Sequence, residues 1–122
     1  MIIARFVWNW LLNALTMGII MVLITRIHFA TPGLSVRDQI RIILLAGLIL
    51  GLVNVIVKPI LKLLSLPLII LTAGLFLIVI NIFVLMLVTW LVPEIVIPDI
   101  MSYVLAAILL GILNTIENLF FV

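Results

Sequence analysis

The chain lacks cysteine entirely, has one histidine, and has little charge: six Lys/Arg and four Asp/Glu make up 8% of its 122 residues. Without cysteine there is no disulfide, no thiolate metal site and no thiol nucleophile. The histidine, His28, stands beside Arg26 in a loop, with no second imidazole or carboxylate near it in sequence. It reads as an interfacial side chain rather than a base or metal ligand. Glu94 and Asp99 lie five apart in a turn and read as solvated loop charges. The bases are scattered singly, which removes the Lys/Arg clusters that nucleic acid or a polybasic lipid patch would need. There is no glycine-rich phosphate loop, zinc-ligand spacing or Ser-x-x-Lys motif. Neither an enzyme, a cofactor nor a nucleic-acid partner is expected.

What the chain has in excess is apolar surface. The hydrophobic fraction is 69%, against about 45–50% in ordinary soluble domains. A chain this short cannot bury that much on its own, because small domains hide only part of their surface. The solvent is therefore lipid, and the length allows one domain, residues 1–122.

About 20 helical residues cross the hydrocarbon core, and the charges cut the chain into four such spans. The first is about 6–25, between Arg5 and Arg26, and reads as a retained span rather than a cleaved signal because no good cleavage site follows it. It carries Asn9 and Asn13 on one face, Ala14 and Gly18 beside them, and Trp8 and Trp10 as boundary aromatics. In the loop from Arg26 to Arg41, Pro32-Gly33 signals a turn and Gly33–Val36 alternates like an extended strip. Ser35 and Asp38 form a capping box that opens a helix near Val36, and the second span covers about 39–57.

That span holds a small-residue stripe, Gly47, Gly51 and Asn54, at i, i+4 and i+7, which lets a neighbouring backbone approach and offers it one amide. It is expected to stop at Lys58-Pro59. Residues 58–67, with Lys58, Pro59, Lys62 and Pro67, are too apolar for a free loop and too short to span. They predict an interfacial elbow whose lysines reach the headgroups. The third span, about 68–92, carries Thr72, Gly74 and Asn81 and ends at Trp90. The fourth, about 100–119, repeats the stripe as Ala107, Gly111 and Asn114.

Gly51-Leu-Val-Asn54 and Gly111-Ile-Leu-Asn114 match at an offset of 60, and Pro32 and Pro93 nearly so. The unit of span, proline turn and span thus occurs twice. The fold class is an all-α integral membrane protein, four transmembrane helices arranged as two tandem hairpins. These form a parallel internal repeat about an axis along the membrane normal. Both termini and the elbow then share one face. Arg5, Lys58 and Lys62 on that face balance Arg26, Arg37 and Arg41 on the other, so the Lys/Arg count alone is tied. The very short Lys58/Lys62 loop and the base-free Pro93–Asp99 loop favour cytoplasmic termini.

The run Asn54-x3-Lys58-Pro-Ile-Leu-x-Leu-Leu-Ser-Leu-Pro67-Leu-x3-Thr72-x-Gly74-Leu-Phe-Leu-x-Val-Ile-Asn81 resembles the signature of the holin-like bacterial membrane proteins, phage holin family 4, also called YvlD-like. The similarity continues through Leu91-Val-Pro93 into the last span and covers most of the chain from Pro32 onward. It implies a four-helix protein of the bacterial inner membrane. Two departures touch the loops: Arg26–Arg41 is longer and more basic than the family's pattern, and Glu94 replaces a small residue after Pro93.

All ten charged residues can reach an interface, so the buried ionisable groups that mark ion and substrate pathways are missing. Glu117 is the nearest to an exception, and its place in the last turn predicts an ion pair with Arg5. Inside the membrane, Asn54, Asn81 and Asn114 are expected to bond across helices of one bundle, with Asn54 and Asn114 facing each other or the bundle axis. Two functions follow. One is a structural or accessory component that packs as a homo-oligomer or in a larger membrane-protein complex. The other is a holin-like oligomeric pore that permeabilises the membrane.

Overall fold

Ser35 and Asp99 set where two of the long helices begin. The Ser35 hydroxyl accepts the Asp38 N–H at 3.2 Å, and the Asp99 carboxylate accepts the Ser102 N–H at 2.8 Å. Each satisfies one of the donors that a helix start leaves open. The structure, a computed structural model, describes residues 2–120. Its order is α1 (Ile2–Leu23), β1 (His28–Phe29), α2 (Val36–Leu64), α3 (Leu66–Leu71), α4 (Phe76–Leu91), β2 (Ile95–Val96) and α5 (Ile100–Phe120).

Three of these are long and apolar enough to cross a membrane: Ile2–Leu23, Val36–Leu64 and Ile100–Leu119. The fourth apolar helix, α4, has 16 residues, about 24 Å of helix against about 30 Å of hydrocarbon. The chain enters it through the short helix α3.

The region between the second and third spans differs from expectation. α2 does not stop at Lys58-Pro59 but runs through Pro59 to Leu64, so residues 58–64 are its last turns rather than a separate elbow. Proline removes a single hydrogen bond. Helices of membrane proteins accommodate that loss by local adjustment of the freed carbonyl rather than by ending. The helix ends instead at Ser65, whose N–H closes on Leu61 O at 3.0 Å. Pro67 lies in the first turn of α3, where its missing N–H costs nothing.

The expected third span is also interrupted, between α3 and α4. Gly74 N–H donates to Ile69 O at 2.8 Å and Ala73 N–H to Ile70 O at 3.2 Å, the paired bonds of a Schellman stop. Ala73 has φ +54° and Gly74 φ +90°. Thr72 bridges the gap: its hydroxyl donates to Leu68 O at 2.8 Å and accepts the Phe76 N–H at 3.0 Å. Gly74 is thus a turn residue, and a Cβ built on it would meet nothing within 4 Å. Its expected place in a helix-packing stripe is not where it sits.

The extended strip lies before Pro32 rather than after Gly33. β1 and β2 pair antiparallel, His28 with Val96 and Phe29 with Ile95, and Ala30 N–H adds a bond to Glu94 O at 2.8 Å. Gly33 turns the chain at φ +74°. Arg26 and Asp99 add an ion pair at 2.5 Å between the two loops.

Beneath this small sheet the four long helices close tightly. Ile27, Ile95 and Ile97 cover a core of Met17, Ile20, Leu50, Leu85, Val88 and Leu110. The opposite half is different. Among the described residues, none of 2–13, 54–79 or 111–119 is buried. The bundle is sealed at the sheet end and open at the other.

Candidate functional site: a polar cleft in the open half

The open half encloses a cleft of about 860 Å³ that all four long helices line. α1 brings Asn9, Trp10 and Asn13, one turn apart on one face. α2 brings Gly51, Asn54, Lys58 and Lys62, a stripe at the same spacing. α4 contributes Leu77, Ile78 and Asn81. α5 contributes Ala107, Gly111, Asn114, Thr115, Glu117 and Asn118. Every asparagine that the sequence marked inside or near the membrane therefore converges on one space.

Their partners were not legible in advance. Gly47 packs on α1: a Cβ there would stand 2.5 Å from the Cα and N of Ala14. Trp10 Nε1 donates to Leu44 O at 2.6 Å across the same helix pair. Gly51 makes room for the Asn13 amide, whose Nδ2 lies 3.1 Å from where its Cβ would be. Asn54 Nδ2 donates to Asn13 Oδ1 at 3.3 Å, and Asn13 Nδ2 passes the chain on to Asn9 O at 2.8 Å. The stripe on α2 thus locks α2 to α1, its hairpin partner. It does not form the seam between hairpins, and Asn54 bonds Asn13 rather than Asn114.

The second stripe behaves the same way. Asn81, 4% exposed, donates from Nδ2 to Ala107 O at 3.3 Å, and Gly111 leaves 3.2 Å for that amide. Asn114 lines the cleft without a hydrogen bond among the described residues. Thr89 and Tyr103 join α4 to α5 at 3.0 Å nearer the sheet.

The expected Arg5–Glu117 ion pair does not form. Glu117 Oε1 lies 2.5 Å from the hydroxyl of Thr16, a fully buried α1 side chain that also lies 2.9 Å from Leu12 O. Thr16 and Arg5 are eleven residues apart, about 16 Å along the helix, so a carboxylate at the Thr16 level cannot meet Arg5. The bond ties α1 to α5 across the two hairpins. Two acceptors in the cleft stay unserved: Asn54 Oδ1 and Asn81 Oδ1 are buried without a hydrogen-bond partner. No group of three metal-binding side chains occurs among the described residues.

A family described as the mycobacterial 4 TMS phage holin, superfamily IV, matches residues 4–116. The chain belongs to this family. No curated protein and no solved structure matches it. As a member of this family with several apolar helices, the chain is a small multi-pass membrane protein. The family's description gives four spans; three helices here are long enough to cross a membrane, and α4 is a shorter apolar helix.

Proposed function

We propose that this holin-family chain is a non-enzymatic structural or accessory unit of the bacterial inner membrane, rather than a pore former. One observation carries the reading. Two of the three interior amides bond within their own chain, Asn54 to Asn13 and Asn81 to Ala107 O, and the third, Asn114, lines the chain's own cleft. The exposed large side chains are mainly Ile, Leu and Val with a few Phe, Trp and Met. An oligomeric lesion needs a polar stripe left over to face its lumen. Here the polar stripe faces the molecule's own cleft.

In this reading the two hairpins are tandem copies. What supports it is the packing inside each hairpin rather than the proline turns, since Pro32 follows β1 whereas Pro93 precedes β2. Asn13 against Gly51 and Asn81 against Gly111 are equivalent contacts. The termini, with residues 58–67, lie on the cytoplasmic side, and the exposed apolar faces pack against a second copy or another membrane protein.

The test is controlled expression in cells preloaded with a small dye, with mild-detergent extraction in parallel. An accessory unit leaves the dye inside and extracts in a fixed stoichiometry. Rapid leakage on expression would establish the pore instead.

A further inference from the structure

The open cleft has a chemistry that changes along its length. At one end Lys58 and Lys62 stand a turn apart on one face of α2. Neither meets an acid: the ion pair found among the described residues is Arg26 with Asp99, and Glu117 gives its oxygen to Thr16. Like charges at i, i+4 repel, so this end is suited to an anion.

One helical turn further in, about 6 Å, the need reverses. Asn54 Oδ1 and Asn81 Oδ1 are buried and accept nothing, while each amide gives one N–H, to Asn13 Oδ1 and to Ala107 O. Buried polar atoms are seldom left so. What these two oxygens lack is a hydrogen-bond donor. Alongside, Leu48, Leu52, Leu77 and Ile108 form an apolar wall. The volume, about 860 Å³, falls in the range of about 300–1,000 Å³ typical of small-molecule sites. The order is anion, donor, hydrocarbon.

We propose that the cleft binds a single-chain anionic lipid with a free hydroxyl between phosphate and acyl chain, in its simplest form a monoacyl glycerol phosphate. The phosphate takes charge-assisted bonds from the Lys58 and Lys62 ammonium groups. The free glycerol hydroxyl donates to the Asn54 or Asn81 oxygen, and the chain lies on the apolar wall. A diacyl lipid has that hydroxyl esterified and would bring a further acceptor to oxygens that already lack donors. The single-chain form is therefore the preferred ligand. The proposal rests on the reading of a self-contained bundle, since a chain that opened into a pore would not keep this cleft.

The full chain in maltoside detergent tests it by native mass spectrometry and thermal melting. The probes are oleoyl glycerol phosphate, its dioleoyl counterpart, oleoyl propanediol phosphate without the hydroxyl, and glycerol phosphate without a chain. The first is expected to bind one per chain and at least tenfold more tightly than the other three. Lys58→Gln with Lys62→Gln is expected to weaken it tenfold or more while leaving the lipid-free melting temperature unchanged. Asn54→Leu is expected to erase the preference for one chain over two. Should that variant fold poorly, the hydroxyl-free probe asks the same question of the unaltered protein. Equal binding of the diacyl or hydroxyl-free lipid overturns the proposal, and so does no binding to a folded chain. Equal binding of glycerol phosphate reduces the site to a phosphate site and overturns it as well. Dye leakage on expression would overturn the accessory reading instead.

Discussion

Gly47 lies against the backbone of Ala14 so closely that any side chain at 47 would displace one of the two helices. A Cβ there would fall 2.5 Å from both Ala14 Cα and Ala14 N, and backbone cannot swing away as a side-chain tip can. Gly18, on the same helix as Ala14, is a useful contrast, since its Cβ would make an ordinary 3.9 Å contact with Ile43. Gly47→Ala is therefore expected to lower stability by about 1–3 kcal/mol, the usual cost of overpacking, with Gly18→Ala near neutral. Thermal melts of the two variants in one detergent compare them directly, and equal melting temperatures would contradict the packing described here.

The stripe containing Gly47 was legible from spacing alone, and so were Asn9 and Asn13 on one face and the Ser35 cap that opens α2 at Val36. Spacing says which side of a helix is narrow or polar. It does not say which neighbour uses that side, so the partnership of α2 with α1 and the bond from Glu117 to Thr16 had to come from three dimensions. Pro59 and Gly74 misled for a physical reason. A proline is a frequent helix stop but not an obligatory one, and helices of membrane proteins tolerate it through local adjustment of the freed carbonyl. Gly74 sits in an apolar run that looks like packing surface, yet Thr72, a hydroxyl next to two small residues, was the available signal of a helix stop. The cleft itself was half legible: the asparagines were found, but a sequence does not show that α1, α2, α4 and α5 part at one end.

Thr16 and Glu117 couple the two hairpins through one short bond, and this pair replaces the contact expected between Arg5 and Glu117. Interhelical polar bonds in membranes average about 0.6 and reach about 1.7 kcal/mol. A double-mutant cycle of Thr16→Val with Glu117→Leu is expected to return a coupling in that range. Glu117→Gln retains an oxygen acceptor and is expected to retain most of the stability. Arg5→Glu is expected to show no coupling with Glu117→Lys, where an ion pair would show rescue.

Asp99 gives the loop face a pH dependence. Ser102, through its side chain and its N–H, holds the Asp99 carboxyl below the ordinary aspartate value of 3.8; desolvation opposes this, and Arg26 adds a lesser lowering. A carboxyl whose folded value lies below its unfolded one stabilises the fold above the unfolded value. That contribution is lost as pH falls through the folded one. Melting temperature is expected to drop as the solution is taken from about pH 5 to about pH 3, with Asp99→Asn flattening part of that drop. Arg26 is well exposed, so Arg26→Gln should remove only a minor share. A profile for Asp99→Asn that overlays the parent across this range would show that another group sets the acid limb.

Ala73 occupies a position that glycine usually fills. It is the left-handed residue of the stop after α3, at φ +54°, and the two bonds that define the stop, from Ala73 to Ile70 O and from Gly74 to Ile69 O, are both made. A residue with a Cβ pays roughly 1 kcal/mol or more to sit in this region, while glycine loses more freedom on folding. The steric term decides here, because the turn geometry is already fixed by the Thr72 bridge to Phe76 N–H. Ala73→Gly is therefore expected to raise stability by up to about 1 kcal/mol, against the general rule that Ala→Gly destabilises helical segments. Gly74→Ala, at φ +90° with open space around it, is expected to lower it, from backbone strain alone and not from any clash. Opposite signs for these adjacent substitutions would establish the interruption between α3 and α4. A loss of stability on Ala73→Gly would instead mean that the helix runs continuously through Thr72–Leu75.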